Sequence, residues 1–152
     1  METVLIIIAT LIGAFVVLNI IARMKMKNLP TVADNQNILT LTEKNFQQQT
    51  KSKVDIVDFW AAWCAPCRMM APVLNDVADA LPGNMQVGKI NVEVEKALAQ
   101  KFNVRSIPTL ILFKDGKEVN RFVGVKTKDF LLKEMNKIND PIPIVIGTLK
   151  GL

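Results

Sequence analysis

The sequence predicts an α/β domain, with a mixed central sheet of about five strands flanked by about four helices, preceded by one transmembrane helix. Three observations predict it. Val4 to Ala22 carries no charge. From Ile38 to Ile138, short apolar runs alternate with stretches of helical spacing. Near the end, two strand patterns flank Asp115-Gly116, a pair suited to a tight hairpin turn.

The uncharged run holds 19 residues, interrupted only by mild polar groups such as Thr10 and Asn19. As a helix it would be roughly 28 Å long, close to the hydrocarbon thickness of a bilayer. A cleaved signal peptide is the rival reading. The start, Met1-Glu2-Thr3, lacks a basic residue, and Ile20-Ile21-Ala22-Arg23 is a poor cleavage site, so an uncleaved anchor over 1–22 is expected. Arg23, Lys25 and Lys27 follow it, which by the positive-inside rule places the following domain in the cytoplasm. Residues 23–37 read as a tether, polar or basic and broken by Pro30.

Ile38 to Leu41 reads as a strand, and Thr42 as the cap of a helix running through Phe46 towards Gln49. Val54 to Phe59 reads as a buried central strand, in which Asp55 and Asp58 are out of place. Arg68 to Ala80 is helical, with Met70, Val73, Leu74 and Val77 on one side; Pro72 should kink it and Leu81-Pro82-Gly83 stop it. Gln86 to Val92 is a strand, Glu95 to Phe102 a short helix, and Thr109 to Phe113 and Val119 to Val123 the hairpin. Thr127 opens a last amphipathic helix bearing Phe130, Leu131, Met135 and Ile138. Residues 139–152 form a tail whose role the pattern does not assign.

Composition excludes several chemistries. There is no histidine, so histidine-based nucleophilic catalysis and histidine metal sites are absent from this chain. Two cysteines cannot make a disulfide-rich scaffold, nor the four ligands of a structural zinc site. The net charge of +5 falls to +2 between residues 31 and 140, where 15 Lys and Arg face 13 Asp and Glu of interleaved sign. Nucleic-acid binding is not expected.

The chemistry lies in Val57-Asp58-Phe59-Trp60-Ala61-Ala62-Trp63-Cys64-Ala65-Pro66-Cys67. A bare Cys-x-x-Cys is a weak signal, but this one follows a strand, opens a helix and is flanked by tryptophan. A thiolate is the reactive form of cysteine. At the start of a helix, Cys64 would meet unpaired N–H groups and the positive end of the helix dipole, which favour the anion. Cys67 lies one turn on, within reach of a disulfide. Cys64 is therefore the expected attacking thiol, and Cys67 the more buried, resolving one. Asp58, buried with a raised pKa, would suit proton transfer to and from Cys67.

The segment resembles the active-site signature of the thioredoxin family, and the resemblance continues through Pro72, Lys89-Ile90-Asn91, Ile107-Pro108-Thr109 and Val123-Gly124. It implies a thioredoxin fold over 38–138 and a protein-disulfide reductase cycling between dithiol and disulfide without a bound cofactor or metal. It further implies Lys89 beside the Asp58 carboxylate, and a peptide-binding surface of Trp63, Ala65, Pro66, Ile107, Pro108, Val123 and Gly124, with Pro108 in the position of the family's cis-proline. Trp60 is expected to pack rather than to touch substrate. Partners would be disulfide-containing proteins and an electron donor such as a thioredoxin reductase or a membrane dithiol relay, with the chain a monomer. Two departures stand out: Ala65 where glycine is commoner, and Glu93 where aspartate is commoner. The competing readings are an extracytoplasmic reductase or isomerase, for example in cytochrome maturation, and a tethered binding module without redox chemistry.

Overall fold

The structure, a computed structural model, describes residues 2–27 and 32–139. The tail expected over 139–152 lies outside the described residues apart from Asn139. Helix α1 spans Glu2–Lys27, strand β1 Ile38–Thr40, helix α2 Phe46–Thr50, strand β2 Val54–Trp60 and helix α3 Ala65–Ala80. Then come β3 (Met85–Asn91), α4 (Lys96–Lys101), β4 (Thr109–Lys114), β5 (Lys117–Val123) and α5 (Lys128–Asn139).

The five strands form one mixed sheet in the order β1-β3-β2-β4-β5, with β1, β3 and β2 parallel and β4 and β5 antiparallel. The apolar alternation of β2 explains its central place. Val54 and Ile56 join Met70, Leu74 and Val77 of α3 and Leu131 and Met135 of α5 on one face. Val57 and Phe59 join Phe46 of α2 and Leu98 of α4 on the other. A strand buried on both faces is the parallel-sheet pattern that its near-continuous apolar run predicts. Its C-terminal end therefore opens between two packed layers, where α3 begins.

The Asp-Gly hairpin forms as expected. Asp115 and Gly116 both have positive φ, 52° and 75°, which a tight two-residue turn between strands of right-handed twist requires. Thr127 caps α5, its hydroxyl accepting a hydrogen bond from Phe130 N at 3.4 Å. Thr42 does not cap α2 with its side chain. The Asn45 carboxamide instead accepts from Thr42 N (2.7 Å), and the helix starts later, at Phe46. Helix α3 begins earlier than its apolar spacing suggested, at Ala65, and runs through Pro72 to Ala80.

Two N-terminal expectations change. Helix α1 forms and continues to Lys27, five residues into the stretch read as tether. Among the described residues, however, no helix is long and apolar enough to cross a membrane. The second change is that residues 33–37 do not run free as a tether. Asn35 accepts from Asn37 N (3.0 Å), a local turn that lets its backbone N–H donate to Asn75 of α3 (2.9 Å) and its carboxamide donate to Asp79. Asn75 returns a bond to the Ala33 carbonyl at 2.9 Å. The polar composition that read as linker is spent on docking this segment against α3.

Candidate active site

Cys64 ends the loop after β2 and is the N-cap of α3; its backbone is extended, and its sulfur accepts a hydrogen bond from Cys67 N at 3.2 Å. Pro66 occupies the first turn, where its missing N–H is no loss. Cys64 and Cys67 are joined by a disulfide, their Cα atoms 5.3 Å apart. The expected difference in burial is not seen in this oxidised form, where each cysteine is 4% exposed. Both pack with Ala61 in a small cluster against Trp60, Val92 and Ile107.

On the face of the sheet that α3 covers lie the two charged residues predicted from the strands. Asp58 and Lys89 are register partners on β2 and β3 and point to the α3 face, as the alternation of Val54, Ile56 and Val87 on that face requires. Asp58 is 1% exposed, and its Oδ1 has no hydrogen-bond partner among the described residues. Burial pushes its pKa up to about 7; the Lys89 charge opposes this, and the Asp34 charge adds to it.

Lys89 does not give its hydrogen bond to Asp58. Its ammonium pairs with Asp34 Oδ1 at 2.6 Å and lies over the Trp60 ring, 4.5 Å from the centroid. Asp34 belongs to the docked segment before β1, and sequence reasoning missed it. Only its place ahead of the domain, in a stretch read as linker, could have been seen. With Val32, Ala33, Trp60, Ala62, Cys67, Arg68, Ala71 and Lys89, it lines a cleft of about 290 Å³ that reaches Cys67.

The residues predicted to bind peptide fall into two groups. Trp63 is 62% exposed, and its indole N–H donates to Glu93 at 3.0 Å, giving the unusual glutamate a contact of its own. It shares a shallow cleft with Val92, Val104, Arg105, Ser106 and Ile107. The Ile107–Pro108 peptide bond is cis. Gly124, at φ 80°, donates its N–H to the Pro108 carbonyl at 2.9 Å, while Val123 pairs with Thr109. Val123 and Gly124 are thus fixed beside Pro108, and Ala65 and Pro66 sit between the cysteines.

The second misplaced acid, Asp55, faces the other side of β2, away from the cysteines. It is buried, and both carboxylate oxygens lack a hydrogen-bond partner among the described residues. The nearby Gln86 amide is engaged by Lys53 (2.9 Å) and by the Gln49 carbonyl (2.7 Å). Burial raises the Asp55 pKa to about 6, tempered by the proximity of Gln86 and Lys53. Among the described residues, no group of three or more His, Cys, Asp or Glu is placed to hold a metal ion.

Comparison with known proteins agrees with this architecture. A family model described as thioredoxin matches residues 37–137. A thioredoxin of Staphylococcus haemolyticus is 44% identical over 100 residues, covering 66% of this chain and 96% of that protein. One from Chlamydia pneumoniae is 47% identical over 97 residues, 64% of this chain and 94% of the relative. Among solved structures, a single-site variant of a thioredoxin from Halobacterium salinarum superposes with a TM-score of 0.65 at 32% identity, covering 74% of this chain and 99% of its own.

Proposed function

The chain belongs to the thioredoxin family of thiol–disulfide oxidoreductases, and on that premise we propose that it reduces protein disulfides by cycling Cys64 and Cys67 between dithiol and disulfide. The observation that carries this reading is the Cys64–Cys67 disulfide at the N-terminus of α3, with the buried carboxyl of Asp58 on the preceding strand, its Oδ1 without a hydrogen-bond partner among the described residues.

In the reduced chain, the Cys64 thiolate attacks one sulfur of a substrate disulfide; a mixed disulfide forms and the first substrate sulfur leaves as a thiol after taking a proton. Cys67 then loses its proton to Asp58 and attacks Cys64. The mixed disulfide breaks, the Cys64–Cys67 bond forms, and the second substrate sulfur leaves. Two electrons pass to the substrate, and an external dithiol, such as that of a thioredoxin reductase or a membrane relay, restores the pair. Trp63, Ile107, Pro108, Val123 and Gly124 receive an extended peptide beside Cys64, with Ala65 and Pro66 shaping the rim. Lys89 sets the charge around Asp58.

The test is Cys67→Ser in the full chain with insulin as substrate. The variant should lose turnover and accumulate a mixed disulfide on Cys64, separable on a non-reducing gel. Retained turnover would sink the reading, and a double Cys→Ser chain with undiminished partner binding would favour a binding module. A reduction potential near about −270 mV marks a reductant, whereas one above roughly −180 mV marks an oxidant or isomerase.

Helix α1 is proposed as the membrane attachment, with the redox domain on the cytoplasmic side. What supports this is an uncharged run from Val4 to Ala22 and large apolar side chains exposed all round the helix, Leu11 and Phe15 among them. In addition, Thr10 and Asn19 satisfy their polar groups on the helix's own carbonyls, at 2.8 and 2.9 Å. Full-length chain should stay in the membrane pellet after alkaline carbonate extraction; quantitative release would end this part of the reading.

A further inference from the structure

We propose that Asp34 is a positioning residue for proton transfer at Cys67: it holds the Lys89 ammonium in its own ion pair, so that Oδ1 of the buried Asp58 carboxyl has no hydrogen-bond partner among the described residues and is available to the resolving thiol. This rests on the disulfide-reductase reading above. Three observations carry it. Asp58 and Lys89 are neighbours across β2 and β3, yet Lys89 makes its 2.6 Å ion pair with Asp34 and leaves Asp58 Oδ1 unpartnered. Asp34 is held in place by the docking of residues 33–37 on α3, not by chance contact. It also lines the cleft that reaches Cys67, and it lies ahead of the span matched by the family model, 37–137.

The charge arrangement around Asp58 is simple. Lys89 faces it from β3 and Asp34 from the docked segment. Helix α3 contributes Cys67 and, at the cleft, Arg68. Strand β4 places Leu110 opposite it, and the α5 residues in this core, Leu131 and Met135, carry no charge. Without the Asp34 carboxylate, the nearest anion for the Lys89 ammonium is Asp58 itself. A direct ion pair holds a carboxyl in its ionised form and lowers its titration point. Asp34 thus opposes that pairing twice, by competing for the cation and by adding its own negative charge.

The full chain, kept in mild detergent, would be compared as wild type, Asp34→Asn, Asp34→Glu and Asp58→Asn. The readout is the pH dependence, from pH 5 to 9, of the single-turnover rate at which the preformed Cys64–insulin mixed disulfide is released. The acid limb of the profile should move to lower pH by about one unit in Asp34→Asn and return to the wild-type position in Asp34→Glu. Asp58→Asn should lack that limb. If the Asp34→Asn profile overlays wild type while Asp58→Asn loses the limb, Asp34 has no positioning role and the disulfide-reductase reading stands. If the limb persists in Asp58→Asn, the proton-transfer reading fails and the Asp34 proposal falls with it. Should Asp34→Asn not fold, Asp34→Ser and the infrared carboxyl band of Asp58 in the intact protein decide between the same outcomes.

Discussion

The two ends of β2 carry the same chemical oddity and different surroundings. Asp55 and Asp58 are both buried, each has at least one carboxylate oxygen without a hydrogen-bond partner among the described residues, and both have pKa values raised mainly by loss of water. Asp55, on the α2 side, has Lys53 and Gln86 near it. Asp58 faces α3, the helix that Cys64 caps, and pairs in register with Lys89. Burial alone therefore raises a carboxyl pKa at either end. Under the proposed mechanism, chemistry follows only where the proton has somewhere to go, at Asp58.

That contrast can be broken first by rate. Asp58→Asn should slow release of the mixed disulfide near neutral pH by about a hundredfold or more, the low end of general-base effects, followed by single-turnover quench and gel. Asp55→Asn should leave the same rate within about twofold of wild type. A comparable loss from Asp55→Asn would mean that any buried acid in this strand suffices and would remove the special place of Asp58.

Stability sharpens the comparison next. A carboxyl whose folded pKa is raised from 3.8 to about 7 binds its proton more tightly folded than unfolded. Its contribution is fully present below about pH 4 and is lost as pH rises through about 7. The oxidised chain should therefore lose on the order of a few kcal/mol between pH 4 and pH 8 from Asp58, and Asp58→Asn should flatten that fall in urea unfolding series. Asp55, raised to about 6, acts with the same sign and a smaller amplitude, so Asp55→Asn should flatten less of it. Equal unfolding curves for wild type and Asp58→Asn at pH 8 would show that the carboxyl is not desolvated.

The smallest effect is expected outside the strand, where the pairing is exposed. Glu93→Gln keeps an acceptor for the Trp63 indole but loses its charge. It should raise KM for insulin by no more than about fivefold, because an exposed polar pair contributes about 1 kcal/mol or less. Trp63→Ala should raise it further with kcat little changed, a pattern of lost binding rather than lost chemistry.

Much of this was legible in the chain. Hydrophobic periodicity located every strand and helix of the domain to within a few residues, because each element has one or two faces to bury and the residue order must match them. The Asp-Gly turn was readable because few residues tolerate positive φ. Cys64 and Cys67 were readable because a strand-to-helix junction brings their sulfurs one turn apart. Even the misfit of Asp55 and Asp58 could be seen as charge inside an apolar run. Which acid faced α3 could be read only through the family resemblance and the alternation of β2.

By itself, then, the sequence determined the element order, the sheet that this order can form, and the thiol pair at the head of α3, all of which depend on local spacing. Tertiary structure alone decided the partner of Lys89. Asp34 and Lys89 are 55 positions apart, and no periodicity links them. Their contact exists because Asn35 fastens a polar segment to α3 and so carries a carboxylate over the cleft. An ion pair of this kind depends on where two backbones meet in space, and sequence spacing holds no record of that.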